Sequence, residues 1–96
     1  MPASVVVFTR ILCPYCDMAR ALLHQKGVKF REIDATNEVA LRAWLVKASG
    51  QRTLPQVFVN GRSLGGFSDI SALDDAGELD PLLASQASPT DPPLPI

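Results

Sequence analysis

Short apolar runs, set off by polar, glycine and proline punctuation, divide this chain into elements brief enough for one small layered domain. Val5-Val6-Val7-Phe8 strings strand formers together without alternation, the pattern of a strand covered on both faces in a parallel or mixed sheet. Pro14 suits the first position of a helix, and Cys16, Ala19, Leu22 and Leu23 then recur at helical spacing until Gly27 offers a C-terminal stop. Lys29 to Ile33 reads as a second strand, and the strand, helix, strand order favours a right-handed parallel crossover. Thr36 or Asn37 is suited to cap a second helix whose apolar face carries Leu41, Trp44, Leu45 and Ala48, with Gly50 ending it.

Beyond that helix, Gln56 to Val59 and Arg62 to Leu64 flank Asn60-Gly61. That dipeptide suits a two-residue turn whose central positions both need positive φ, so an antiparallel hairpin is expected. Gly65-Gly66 breaks the pattern before a short helix from about Ser68 to Ala76, and Leu79, Leu82 and Leu83 suggest a last helical turn or two packing back. The predicted order is β-α-β-α-β-β-α over residues 1–83. Residues 84–96 hold four prolines with Ser, Thr and Asp, too little apolar surface to offset the entropy of ordering, so a disordered tail is expected there. Pro92-Pro93-Leu94-Pro95 has the composition of a polyproline ligand, but a solvated tail is the reading its composition favours.

Composition narrows the function classes. A chain of 96 residues, 47% hydrophobic, accommodates one domain with a modest core and no second catalytic domain. Nine Lys plus Arg against ten Asp plus Glu leave a formal charge of -1, so no long-range field favours nucleic acid or an anionic membrane. Met1 to Ser4 carry no basic cluster, and Val5 to Phe8 is too short for a signal-peptide core or a membrane span; a cytoplasmic protein is the expectation.

Two cysteines three residues apart, Cys13 and Cys16, provide no disulfide framework, so the pair reads as chemistry rather than as a staple. Zinc is not expected, because a closed site wants about four ligands and His24 is the only imidazole. A sulfur attacks a disulfide only as thiolate, and a free cysteine with pKa near 8.5 is only about 3% ionised at neutral pH. Cys13 falls where unpaired N–H groups and the positive end of the helix dipole converge, which favours its anion, and Arg10 is placed to add positive charge if the loop folds toward the sulfur. Cys16, one turn further in, is near enough to close a reversible disulfide while shielded from solvent. Cys13 is therefore the candidate nucleophile and Cys16 the resolving thiol, with Pro14 stiffening the link and Tyr15 forming a partly exposed wall.

Three separated pieces, Cys13-Pro14-Tyr15-Cys16, Gln51-Arg52-Thr53-Leu54-Pro55 and Gly65-Gly66-Phe67-Ser68-Asp69, together resemble the dithiol glutaredoxins over about Val5 to Leu83. The resemblance implies an α/β thioredoxin fold, a four-stranded mixed sheet flanked by helices, and glutathione as reductant. It implies a cis bond before Pro55 after Thr53, with the Leu54 backbone pairing with the cysteinyl backbone of glutathione like an added strand. It also implies that Gly66 allows close approach of the ligand. The N–H groups of Ser68 and Asp69 would receive the γ-glutamyl carboxylate, and the Asp69 side chain would meet the ammonium. Arg10, Gln51 and Arg52 are candidates for the glycyl carboxylate.

Leu54 stands where the family often has Val, which preserves the backbone contacts, and Phe67 is a large apolar residue at a position that varies. Beside Tyr15, Phe67 would enlarge an apolar surface for protein substrates. The activity implied is reduction of glutathione mixed disulfides and protein disulfides by a monomer, with glutathionylated and disulfide-containing proteins, ribonucleotide reductase among them, as partners. Two alternatives stay open from sequence: a [2Fe-2S] cluster held between two subunits, and a thioredoxin-like reductant served by a flavoprotein reductase. Pro14 and the second cysteine weigh against the first, and the lack of Trp before Cys13 against the second.

Overall fold

The computed structural model describes residues 2–96. Its order is β1 (Val5–Thr9), α1 (Pro14–Gln25), β2 (Arg31–Asp34), α2 (Val39–Ser49), β3 (Gln56–Val59), β4 (Arg62–Gly65), α3 (Phe67–Asp75) and α4 (Leu79–Ala84). The strands form one sheet in the order β2-β1-β3-β4, with β1 parallel to β2 and antiparallel to β3, and β3 antiparallel to β4. This is the four-stranded mixed sheet of a thioredoxin fold.

The unbroken Val5–Phe8 run is explained by what covers it. Alternate residues of a strand face opposite sides. Val5, Val7, Val57 and Val59 pack with Ala19 and Leu23 of α1, Ile70 of α3, and Leu79 and Leu83 of α4. Val6, Phe8 and Phe58 pack on the other side with Leu45 of α2 and with Cys13, Cys16 and Leu54, while Leu41 and Trp44 border that cluster. Phe8 meets Phe58 edge to face with ring centres 5.5 Å apart, and Trp44 lies 5.5 Å from Phe58.

Three expectations are displaced. The second strand starts at Arg31 rather than Lys29, because Phe30 packs into the α1 side of the core and the edge strand pairs with β1 only from Arg31 onward. Neither Thr36 nor Asn37 caps α2; its cap position is Glu38, which makes no side-chain capping bond, and Thr36 is used instead in the loop that holds the dithiol. The last apolar turns form a separate helix, α4, split from α3 where Gly77 takes φ 73°.

Asn60-Gly61 makes the expected turn, with φ 53° and 79°. Asn60 does more than turn: its buried side chain accepts from Ser4 N at 2.9 Å and donates to Ser85 Oγ at 3.0 Å, tying the start of β1 to the chain after α4. Past Ala84 there is neither helix nor strand, and the residues for which disorder is expected make several contacts with the domain. Arg62 pairs with Asp91 at 3.1 Å, Asp91 accepts from Ser88 N at 2.7 Å, and Leu94 borders the Val6–Phe58 cluster. A composition argument counts apolar residues, whereas here one leucine and a polar anchor reach a face that α2 leaves uncovered.

Candidate functional site

The dithiol is placed by the loop between β1 and α1. Ile11 N donates to Thr36 Oγ1 at 3.0 Å, and Thr36 in turn donates its backbone N–H, at 2.9 Å, and its hydroxyl to Asp34 Oδ1. Those bonds, the hydroxyl's first, hold the Asp34 carboxyl below the usual carboxylate range. Arg10 Nη1 donates to the carbonyls of Ile11 (3.0 Å) and Leu12 (2.7 Å), folding back on its own loop. Leu12 takes φ 52°, a left-handed conformation uncommon for a residue with a Cβ, and turns the chain into the helix.

Cys13 is the N-cap of α1, in extended conformation (φ -122°, ψ 97°), and Pro14 takes the first helical position. Its Sγ accepts the N–H of Cys16 at 3.1 Å. A sulfur in this position replaces the side-chain oxygen of an ordinary cap, so an anion on it is stabilised by a real donor as well as by the helix dipole. The two sulfurs are joined in a disulfide, with Cα atoms 5.2 Å apart. Cys13 keeps 5% of its surface exposed and Cys16 none, so an incoming thiolate has access to Cys13 alone.

Cys13 Sγ lies 3.7 Å from the carbonyl oxygen of Leu54, and the Leu54–Pro55 bond is cis. The Leu54–Pro55 turn forms one wall of a groove of about 540 Å³. The groove brings together the sequence-predicted binding residues Arg10, Tyr15, Gln51, Arg52, Thr53, Leu54, Pro55, Gly66, Ser68 and Asp69. Cys13 sits at its border on the loop side, in a second depression shared with Arg10 and Asp17, and Cys16 is buried behind. Tyr15 is 62% exposed and its ring centre is 6.5 Å from that of Phe67, so the two aromatic rings stand together at the groove.

The floor and far wall are polar. Asp69, in the first turn of α3, accepts at Oδ2 from Gly66 N (2.9 Å) and from Gln51 Nε2 (3.0 Å). Gln51's side-chain bond first, and that of Gly66 second, hold the Asp69 carboxyl below the usual range. The close approach depends on Gly65, at φ 93°, where a Cβ would run into the Asp69 carboxylate. The first-turn N–H groups of α3 have no intrahelical acceptor and, with Ser68 exposed at the groove, offer an anion site.

Two residues of this site escaped the sequence reading. Arg42, in the first turn of α2, joins Arg10 and Arg52 along the groove, so three cations and one carboxylate line it. On sequence alone Arg42 is one more polar position beside an apolar helix face, and only the packing of α2 turns it inward. Gln56 is wholly buried at the head of β3, its Nε2 donating to Gln51 Oε1 at 2.8 Å and to Thr53 O at 2.9 Å. A strand-start glutamine carries no local sign of that role.

Set against known proteins, the family model described as Glutaredoxin matches residues 5–64. Glutaredoxin 3 of Escherichia coli K12 is 46% identical over 81 residues, covering 84% of this chain and 98% of that protein. A probable glutaredoxin of Synechocystis is 49% identical over 85 residues, covering 86% and 96%. Among solved structures, a buckwheat glutaredoxin–glutathione complex superposes with TM-score 0.79 at 32% identity, over 84% of this chain and 76% of that one. Glutaredoxin from Brucella melitensis superposes with TM-score 0.74 at 46% identity, over 86% and 90%.

Proposed function

The chain belongs to the glutaredoxin family, and from that premise we propose that Cys13 is the nucleophile and Cys16 the resolving thiol of its reaction. It is a glutathione-dependent thiol–disulfide oxidoreductase with a two-cysteine site. In the proposed cycle the Cys13 thiolate attacks the glutathionyl sulfur of a substrate mixed disulfide. The substrate sulfur leaves with the electron pair of the broken bond and takes a proton from water. A second glutathione thiolate then attacks the glutathionyl sulfur on Cys13, forming glutathione disulfide and returning Cys13 to thiolate.

Reduction of a disulfide within a protein uses both cysteines. Cys13 opens the substrate bond and becomes joined to one substrate sulfur; Cys16 attacks Cys13, releases the reduced substrate and closes the Cys13–Cys16 disulfide. Two glutathiones in succession reopen it, the first attacking Cys13 because Cys16 is enclosed.

In this reading the groove takes the tripeptide with its cysteinyl backbone along Leu54, its γ-glutamyl carboxylate at the first turn of α3 and its ammonium at Asp69. The glycyl carboxylate goes to the arginines, Arg42 joining Arg10 and Arg52. The observation that carries the proposal is a capping sulfur that accepts the Cys16 N–H and borders this groove. Residues 1–83 are the proposed catalytic unit and residues 84–96 an appendage outside the chemistry.

The proposal places the chain in the cytoplasm, acting as a monomer on glutathionylated and disulfide-containing proteins, ribonucleotide reductase among the candidates. Among the described residues no helix is long and apolar enough to cross a membrane. A coupled assay with NADPH and glutathione reductase on a small glutathione mixed disulfide, run beside thioredoxin reductase as donor, tests the reductant. Turnover with the first donor is expected, and turnover supported only by the second would assign the chain to the thioredoxin-like alternative. Colourless protein after anaerobic purification is expected, and visible charge-transfer bands would favour the cluster-holding one.

A further inference from the structure

The geometry points to Gln51 and Gln56 as positioning residues that aim the Asp69 carboxylate at the ammonium group of glutathione. Gln51 is thereby reassigned from the glycyl end of the ligand to the γ-glutamyl end. The inference rests on the proposed pairing of Asp69 with that ammonium.

Hydrogen-bond polarity fixes the relay in one direction. Gln56 Nε2 faces the carbonyl of Thr53, an acceptor only, so the atom there must be the amide nitrogen. Its other hydrogen goes to Gln51, which must present Oε1 in return. Gln51 is then left with Nε2 on its far side, where the Asp69 carboxylate accepts. Neither amide can flip without setting oxygen against oxygen.

The relay ends on one oxygen of the carboxylate. Oδ2 receives both Gln51 and the Gly66 N–H, whereas Oδ1 has no hydrogen-bond partner among the described residues, and Asp69 lines the groove. One oxygen is anchored and the other is left for a ligand. The donor is also neutral. An arginine or lysine bonded to Asp69 would cancel its charge and compete with an ammonium ligand, whereas an amide orients the carboxylate and leaves its full charge available.

Gln56 bears the cost of this arrangement. Its side chain is fully enclosed, and Oε1 has no partner. An aliphatic residue at the head of a buried strand would avoid the orphaned acceptor, so packing alone does not account for an amide here.

The test compares two substrates that differ only at the ammonium: the mixed disulfide of 2-mercaptoethanol with glutathione, and the same compound made from glutaryl-Cys-Gly. Gln51→Ala is expected to raise KM for the glutathione compound about tenfold, the scale of one charge-assisted contact, with kcat unchanged and with KM for the desamino compound unmoved. Gln56→Met is expected to move KM the same way by about threefold, again only for the compound that bears the ammonium. Asp69→Asn separates the two levels of the argument. If it affects both compounds equally, the ammonium reading fails. If Asp69→Asn discriminates between them and Gln51→Ala does not, the positioning inference is overturned, and this holds whether or not the Gln56 variant folds.

Discussion

At the scale of single residues, the two cysteines are chemically alike in sequence and unlike in structure. Cys13 accepts an N–H at the helix end and keeps a sliver of exposure; Cys16 is enclosed. Cys16→Ser is therefore expected to retain deglutathionylation of a small mixed disulfide within about threefold while losing reduction of protein disulfides, and Cys13→Ser to lose both. Steady-state rates on one substrate of each kind decide it, and measurable turnover by Cys13→Ser would count against the assignment. The placement of the two cysteines at the helix start was legible in the sequence because a Pro-started helix next to a CxxC pair fixes local geometry by itself. The Asn60-Gly61 turn was legible for the same reason, its stereochemistry being decided within two residues. Arg42 and the Gln56–Gln51–Asp69 relay were not, since they join residues from different elements, up to 18 positions apart in the relay, whose polar character alone predicts only solvent exposure.

At the scale of elements, helix α1 is held to the edge strand by charge as well as by its apolar face. Arg20 donates to both carboxylate oxygens of Glu32, at 2.7 Å and 2.8 Å, and Thr9 adds a third bond from β1 at 2.9 Å. The Arg20 bond, with a smaller part from Thr9, holds the Glu32 carboxyl below its usual value. A depressed carboxylate contributes stability that is present above its unfolded-state pKa and disappears as pH falls through the folded one. Glu32→Gln is thus expected to cost less than about 1 kcal/mol near neutral pH, the partly exposed pair being screened by solvent, and to cost nothing in strong acid. Urea denaturation of both proteins across the acid range measures this; a difference that persists unchanged into strong acid would contradict it. The strand itself was the least legible element. As an edge strand with the sequence Arg-Glu-Ile-Asp it buries only Ile33 in part, so periodicity had little to mark its start.

At the scale of the whole molecule, one sheet carries two differently built faces. Three helices cover one; on the other, α2 leaves room that Leu94 reaches from beyond α4. The tail bonds Asn60 and passes against Gly61, at the end of the sheet where β1 begins, whereas Cys13 follows the end where β1 finishes. Deleting residues 85–96 is accordingly expected to lower stability by about 1 kcal/mol, roughly the partial burial of one leucine, and to leave kcat/KM unchanged. Thermal unfolding together with the coupled assay reads both; an unchanged Tm would show that the tail contributes nothing to the fold. The fold class was legible because both faces of β1 had to be covered, and the tail's path was not, because it depends on a single distant leucine.

The most direct test of the account is a titration of the Cys13 thiol in the reduced Cys16→Ser protein, followed by thiolate absorbance. A sulfur that caps a helix and accepts a backbone N–H is predicted to ionise with a midpoint well below the ~8.5 of free cysteine. A midpoint at or above that value would contradict the central claim.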